Sequence, residues 1–447
     1  MSISIAVITE FGLDLDCDFN ARPDTDNDLA DVMARESSAA ASPGLTGPNF
    51  NLERAGCPGA SLAHADKLSP NLRNRTHYAP PRFDAGARQP VDLSNFLQYI
   101  LPAFLCYCIN AILALRSYPF VVRLGFLPAT LYAMYRCAVT LDLSNGDETQ
   151  MHLNQLLLLL TTVSSMRATI WTFSEAPRRI SDPSKSTLVH LLTSLRGIDW
   201  NWGANVYIPP ERRPTSSRLA FAGVTLISLL VHPLVLDLTH YHIQTLSPDT
   251  FGSVDGGTIL DGAFPSLRST YITFLSVIVM YCALQSQYDA ATLVGVVVFR
   301  QDPSEWPPLF DDPWLSTSLS QFWARRWHQA LKHTYVSFGG EPLGPGRVGV
   351  VLGSFTASAL IHYLGVWGMG HRAQFWDSGC LFLVSAIGVL AEGALGRKVG
   401  GVWGWVWTMS WLLFWSNYLV DAWAQAGMIG ASPFPKSMRP VDFLGWM

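Results

Sequence analysis

From Asn95 onward the chain returns repeatedly to apolar runs of the length a helix needs to cross hydrocarbon, roughly 20 residues. Eight such runs can be read, at 96–115, 119–140, 152–173, 218–238, 269–299, 347–369, 376–396 and 402–423. In lipid every backbone N–H and C=O must find an internal partner, and unbroken apolar stretches achieve this as helices. The expected fold is therefore all-α, a polytopic transmembrane helical bundle. The fifth run is long with a polar middle, "LQSQYDAATL", and reads as one tilted helix or as two short ones broken near Asp289, so about eight to nine spans are expected. Charged residues make up only 14% of the 447, against roughly 25% in soluble domains, which fits a membrane protein.

Residues 1–92 differ in kind. "RPDTDNDLADVMARESSAAASPGLTGPN" is polar and lacks helical periodicity, as expected of a largely disordered N-terminal tail and linker. The first residues mix acids into an apolar stretch without a basic region, a poor secretory signal. The membrane domain is then 93–430, with a short C-terminal tail at 431–447. Lys and Arg gather in loop 174–217 (Arg178, Arg179, Lys185, Arg196, Arg212, Arg213) and loop 300–346 (Arg300, Arg325, Arg326, Lys332). The loop between them, 239–268, holds Asp249, Asp255 and Asp261 against Arg268. The first two loops are expected in the cytosol and the third in the lumen, with both termini lumenal and the sequon at Asn74 open to glycosylation.

Several function classes drop out. A net charge of −4 without a concentrated basic face argues against nucleic acid as a partner. The seven cysteines form no CxxC pair, and His240 and His242 lack a third ligand nearby, so no metal site is expected. There is no GxxxxGK[ST], Rossmann fingerprint, HExxH or GxSxG.

Three segments carry chemistry. His362, in "SALIHYLG", lies about 22 Å along a helix begun at Arg347, deep in the bilayer. An ionisable group at that depth normally faces a protein interior or a water-filled cavity, where an imidazole can take a hydroxyl proton and return it to a leaving group. The plainer alternative is a neutral His bonded to Ser354, Thr356 or Ser358. In "SLSQFWARRWHQALKH", 318–333, a helix would set Trp323 and Trp327 on one face and Arg325 and His328 on another. Such an element is either an interfacial helix with anchoring aromatics, or the mouth of a site where Arg325, Arg326 and Lys332 meet an anionic group. In "SLRGIDWNWGANV", Arg196, Trp200, Asn201 and Trp202 suit an adenine ring and phosphates, or equally a loop docked on the membrane surface.

Together, "RGIDWNW" at 196–202, "WPPLF" at 306–310, "FWARRWHQ" at 322–329 and His362 resemble the wax-synthase-like branch of the membrane-bound O-acyltransferase family, particularly fungal terpenoid and meroterpenoid O-acetyltransferases. The resemblance covers roughly residues 96–423. It implies His362 as general base on an acceptor hydroxyl, His328 as a group orienting or polarising the reactants, and Arg325 and Arg326 near a CoA entrance. Trp323, Trp327, Arg196, Trp200, Asn201 and Trp202 would then line the substrate path. It further implies acetyl-CoA as co-substrate, a lipophilic alcohol as acceptor, no permanently bound cofactor or metal, and the endoplasmic reticulum membrane. Asp199 departs from the pattern, which favours Gly after "RGI". Two alternatives stay open: a long-chain wax or sterol ester synthase, and a proton-coupled transporter, although the chain shows no repeat.

Overall fold

The computed structural model describes residues 88–203, 206–344, 346–370, 374–395, 399–434 and 439–443. Most of the expected N-terminal tail, including the sequon at Asn74, lies outside the described residues. Eight long helices organise the rest: α1 Leu93–Leu115, α2 Phe120–Thr140, α3 His152–Phe173, α4 Arg218–Leu246, α5 Leu267–Val298, α6 Arg347–Gly368, α7 Phe375–Ala394 and α8 Gly401–Gln425. Ser217 caps α4 and Ser266 with Ser269 forms a capping box on α5, satisfying first-turn N–H groups. The only strands among the described residues are a parallel pair, Gln89–Pro90 with Leu141–Asp142.

The eight helices coincide with the eight expected runs, but six are long and apolar enough to cross a membrane by length and composition. The other two are α2, with Arg123, Arg136 and an internal Pro128, and α8, which carries six tryptophans. Of the two readings of the fifth run, one helix or two broken near Asp289, the structure shows one: α5 runs through Asp289, and only its last turn, Val294–Val298, widens to π geometry. The buried Asp289 carboxylate accepts from Ser228 Oγ at 2.6 Å and Gln285 Nε2 at 2.8 Å. A satisfied acid gives the helix no reason to unwind.

Outward faces carry exposed Leu219, Ile227, Leu230 and Val402, as lipid-facing helices do. Inside, one apolar core joins Phe382, Val366, Val420 and Phe251; another joins Tyr107, Trp171, Leu191 and Trp200. The expected C-terminal tail is tied in, because Arg439 Nε pairs with Asp237 Oδ1 at 3.1 Å and Val441 N donates to Asp237 Oδ2 at 2.8 Å.

The long connection 299–346 between α5 and α6 folds back over α6 and α7 in short turns. Its last part, the π turn Val336–Gly340, lies backbone to backbone on α6: a Cβ on Gly353 would collide with the Gly339 carbonyl, and one on Gly339 with the Gly353 carbonyl. This close approach brings Tyr335 near Ser358, one turn before His362.

Candidate functional site

His362 Nδ1 lies 2.8 Å from the Ser358 carbonyl. A carbonyl only accepts, so Nδ1 carries the hydrogen and Nε2 keeps its lone pair. Of the residues in the plainer reading, Ser358 does hold the ring, through its carbonyl, while Ser354 Oγ donates to Val350 O at 2.7 Å and Thr356 Oγ1 to Leu352 O at 2.8 Å. The ring faces inward against Phe382 of α7, centroid to centroid 4.1 Å. It is half-buried rather than sealed, although it sits deep among protein atoms.

The helix expected through 318–333 is shorter. One α turn, Leu319–Gln321, continues as a π turn, Phe322–Arg326, and the chain becomes extended at Trp327. Trp323 and Trp327 thus do not share a helical face, and neither do Arg325 and His328. The break has identifiable supports: Gln329 Nε2 donates to the Trp323 and Trp327 carbonyls at 3.1 and 2.6 Å, and Lys332 Nζ to Ala324 O at 3.0 Å. Burial, and then Arg325, push the Lys332 ammonium down to about 8.

The break re-aims the side chains around the site. Trp323 packs against Phe355 at 5.6 Å and Phe382 at 5.9 Å, so it shares a wall with His362. Trp327 stacks on Phe322 at 5.4 Å and meets Phe310 edge-on at 5.0 Å. His328, also half-buried, lies 6.1 Å from the Phe310 ring. Burial pushes its imidazole down to about 4, and a charge on His362 would push the same way. The two histidines are thus close enough to sense one another's protonation.

The two arginines differ. Arg326 Nη1 donates to the Asp311 and Asp312 carbonyls at 2.8 and 3.2 Å, holding a turn in which Asp312 has φ +43°. Arg325 lies over the Tyr207 ring at 5.6 Å, and the Tyr207 hydroxyl donates to Asp311 Oδ2 at 2.9 Å.

Most of the "RGIDWNW" loop is occupied by structure. Consecutive prolines in "WPPLF" lack N–H groups, and their carbonyls need donors. Arg196 supplies them, reaching Pro308 O at 2.9 Å, Pro307 O at 2.8 Å and the Tyr288 hydroxyl at 2.6 Å. Trp200 is core, 2% exposed. Asn201 accepts from Arg178 N at 2.9 Å and donates to Ala176 O at 3.3 Å. Trp202 stands apart: it meets the His333 ring at 4.5 Å in a cleft bordered also by Arg167, Trp171 and Glu175. The departure at Asp199 has a local cause. Its φ is +64°, the region a glycine enters without strain and Asp tolerates. Burial alone would raise its carboxyl, but hydrogen bonds from Ser181 and then Arg179, 2.7 Å away, hold it below the usual carboxylate range.

Sequence reasoning missed Phe382 and Tyr335. Phe382 is one apolar residue among many in a span, and its ring contact with His362 is a tertiary accident that periodicity does not encode.

A bundle with helices of membrane-crossing length, its imidazole at His362 turned inward onto Phe382, is that of an integral membrane protein. The family model described as "Membrane bound O-acyl transferase family" matches residues 306–384, from the double proline through both histidines to just past Phe382. Acetyltransferase eriL of Hericium erinaceus is 26% identical over 272 residues, 56% of this chain and 69% of that protein. Acetyltransferase ple2 of Rhodocybe pseudopiperita is 25% identical over 275 residues, 57% and 70% of the two chains. Acyl-CoA–sterol O-acyltransferase 1 of Arabidopsis thaliana is 30% identical over 108 residues, 22% and 31% of the two. Residues 306–384 thus carry the match to that family, and the chain is an O-acyltransferase.

Proposed function

We propose that this acyltransferase moves an acetyl group from acetyl-CoA to a hydroxyl of a hydrophobic terpenoid or meroterpenoid, in the endoplasmic reticulum membrane, as a step of secondary metabolism. The observation that carries the chemistry is the inward His362 ring, with Nδ1 tied to Ser358 O so that Nε2 is the basic nitrogen. The fungal relatives named as acetyltransferases support the acyl group. In this reading Nε2 takes the proton of the acceptor hydroxyl as its oxygen bonds to the thioester carbonyl. The tetrahedral adduct then expels the CoA sulfur, and the imidazolium returns the proton to that sulfur. A thioester is already activated, so base, orientation and oxyanion support suffice. His328, held neutral near pH 7, orients or polarises the carbonyl.

Arg325, with Tyr207 beneath it, is proposed to meet the acyl-CoA at the mouth, and Trp202 in its cleft to contact the polar end of the donor. The catalytic unit is proposed to be residues 93–430. A second reading, transfer of long acyl chains to waxes or sterols, is favoured by the Arabidopsis sterol acyltransferase relative. Microsomes carrying the protein, given labelled acetyl-CoA or palmitoyl-CoA with a panel of hydroxylated terpenoids and sterols, separate the two. Acetyl ester formed on a terpenoid and lost in His362→Ala at equal protein level is the expected result. Palmitoyl ester alone selects the second reading, and an undiminished His362→Ala variant overturns both.

A further inference from the structure

An acid buried in α7 lies outside everything invoked so far. Glu392, 8% exposed, stands near the C-terminal end of that apolar helix. A carboxylate there must be fully hydrogen-bonded to be tolerated. It is, and by one segment above all. Oε1 accepts from Leu319 N at 2.7 Å, and Oε2 from Ser320 N and Ser320 Oγ, both at 2.9 Å. The Trp407 indole N–H, from α8, donates to Oε1 at 3.1 Å.

The two amides it holds are the first of the turn that carries Trp323 and leads into His328. Neighbouring contacts seat the same stretch. The Leu319 side chain is fully buried against Gly388, and the Trp405 indole donates to Trp314 O at 2.8 Å. Ten residues before Glu392 on the same helix, about 15 Å at 1.5 Å per residue, stands Phe382, which touches both Trp323 and His362. One rigid helix therefore grips the His328-bearing segment at its start and meets His362 at its other contact.

We infer that Glu392 is a positioning residue for the acyl transfer, a clamp on the first turn of 319–326 that sets His328 and Trp323 in register with His362. The inference rests on the proposed function. Its logic is that a catalytic group displaced by about 1 Å can lose roughly 100-fold in rate while binding is little changed.

The test uses the full chain in detergent or nanodiscs. Glu392→Gln keeps one carbonyl oxygen for Leu319 and Trp407 but turns an N–H toward the Ser320 donors, so two bonds are lost with the shape retained. Glu392→Ala removes all four. Expected are falls in kcat per folded molecule of about 10-fold and about 100-fold respectively, with KM for acyl-CoA and alcohol within about twofold of wild type. Hydrogen exchange at the Ser320 amide should accelerate in both variants, and at the Leu319 amide in Glu392→Ala. A merely structural acid would reduce the folded fraction and leave kcat per folded molecule intact, and that result overturns the inference. So do unchanged amide exchange in Glu392→Gln and a KM effect larger than the kcat effect. His362→Ala judges the functional reading separately. Were wild type to form no ester, amide exchange alone would decide the clamp, with retained protection in Glu392→Gln counting against it.

Discussion

A base buried in a membrane protein is useful only while the correct nitrogen is unprotonated and free, and at His362 a single carbonyl settles which nitrogen that is. Removing the ring should therefore cost about the contribution of general base catalysis, 10²- to 10⁴-fold in kcat, with protein yield and melting temperature close to wild type. His362→Gln should not restore activity, because an amide nitrogen cannot take the proton; single-turnover measurement of ester formation checks both variants. A loss below tenfold would remove His362 from the chemistry. The inward placement of this residue was legible in the sequence because depth in an apolar run is itself informative. Its neighbours were not: Ser358 acts through its backbone rather than its hydroxyl, and Phe382 announces nothing in a row of apolar residues. Asp199 shows the opposite case, where a departure from a familiar pattern turned out to be a backbone requirement met by a different residue type.

At the scale of elements, hydrophobic run length located all eight long helices, with α4 running eight residues past the expected 238, since burial in lipid leaves a chain little choice. The irregular connection 299–346 was read less well. The 3.6-residue rule put two tryptophans on one face of "FWARRWHQ", whereas a π turn ended by Gln329 and Lys332 sends them to different walls. Those supports come from later in the chain and cannot be seen in a local window. The same connection separates two arginines that look equivalent in sequence. Arg325→Ala is expected to raise the KM for acyl-CoA more than that for the alcohol, as seen in paired substrate titrations; equal rises would place Arg325 away from the donor. Arg326→Ala instead frees the 311–312 turn and should lower the melting temperature with little selectivity between substrates. Element packing offers a sharper test. Gly353→Val forces a branched side chain into the Gly339 backbone, and overpacking of this kind costs about 1–3 kcal/mol or more. Thermal unfolding should show it, while Gly125→Ala on α2, where a Cβ meets nothing nearby, should be neutral.

For the whole molecule, the expected consequence of gathering imidazoles into the interior is an acid limit on stability. Burial holds His328 at about 4, helped by His362, and His333 at about 4, helped by Arg167. Both values lie below the ordinary histidine value near 6.5, so in each case the folded state disfavours the protonated ring. As pH falls through 6.5 the unfolded chain takes up protons that the folded chain refuses, and stability declines by linkage until the folded rings also titrate near 4. Melting temperature of the purified protein should therefore fall steadily between pH 6.5 and about 4.5. The carboxylates Asp199 and Glu211 are held below the usual range despite their burial, by Ser181 and by Arg213 respectively, so they enter only at lower pH. His333→Gln leaves the two proposed catalytic histidines in place and removes one titrating ring beside Trp202, so it should flatten the slope in that window while ester formation at pH 7.5 persists. A slope unchanged by His333→Gln, or a melting temperature flat from 6.5 to 4.5, would mean that these rings reach water in the folded protein. The closed interior that the proposed chemistry needs around His328 would then be wrong.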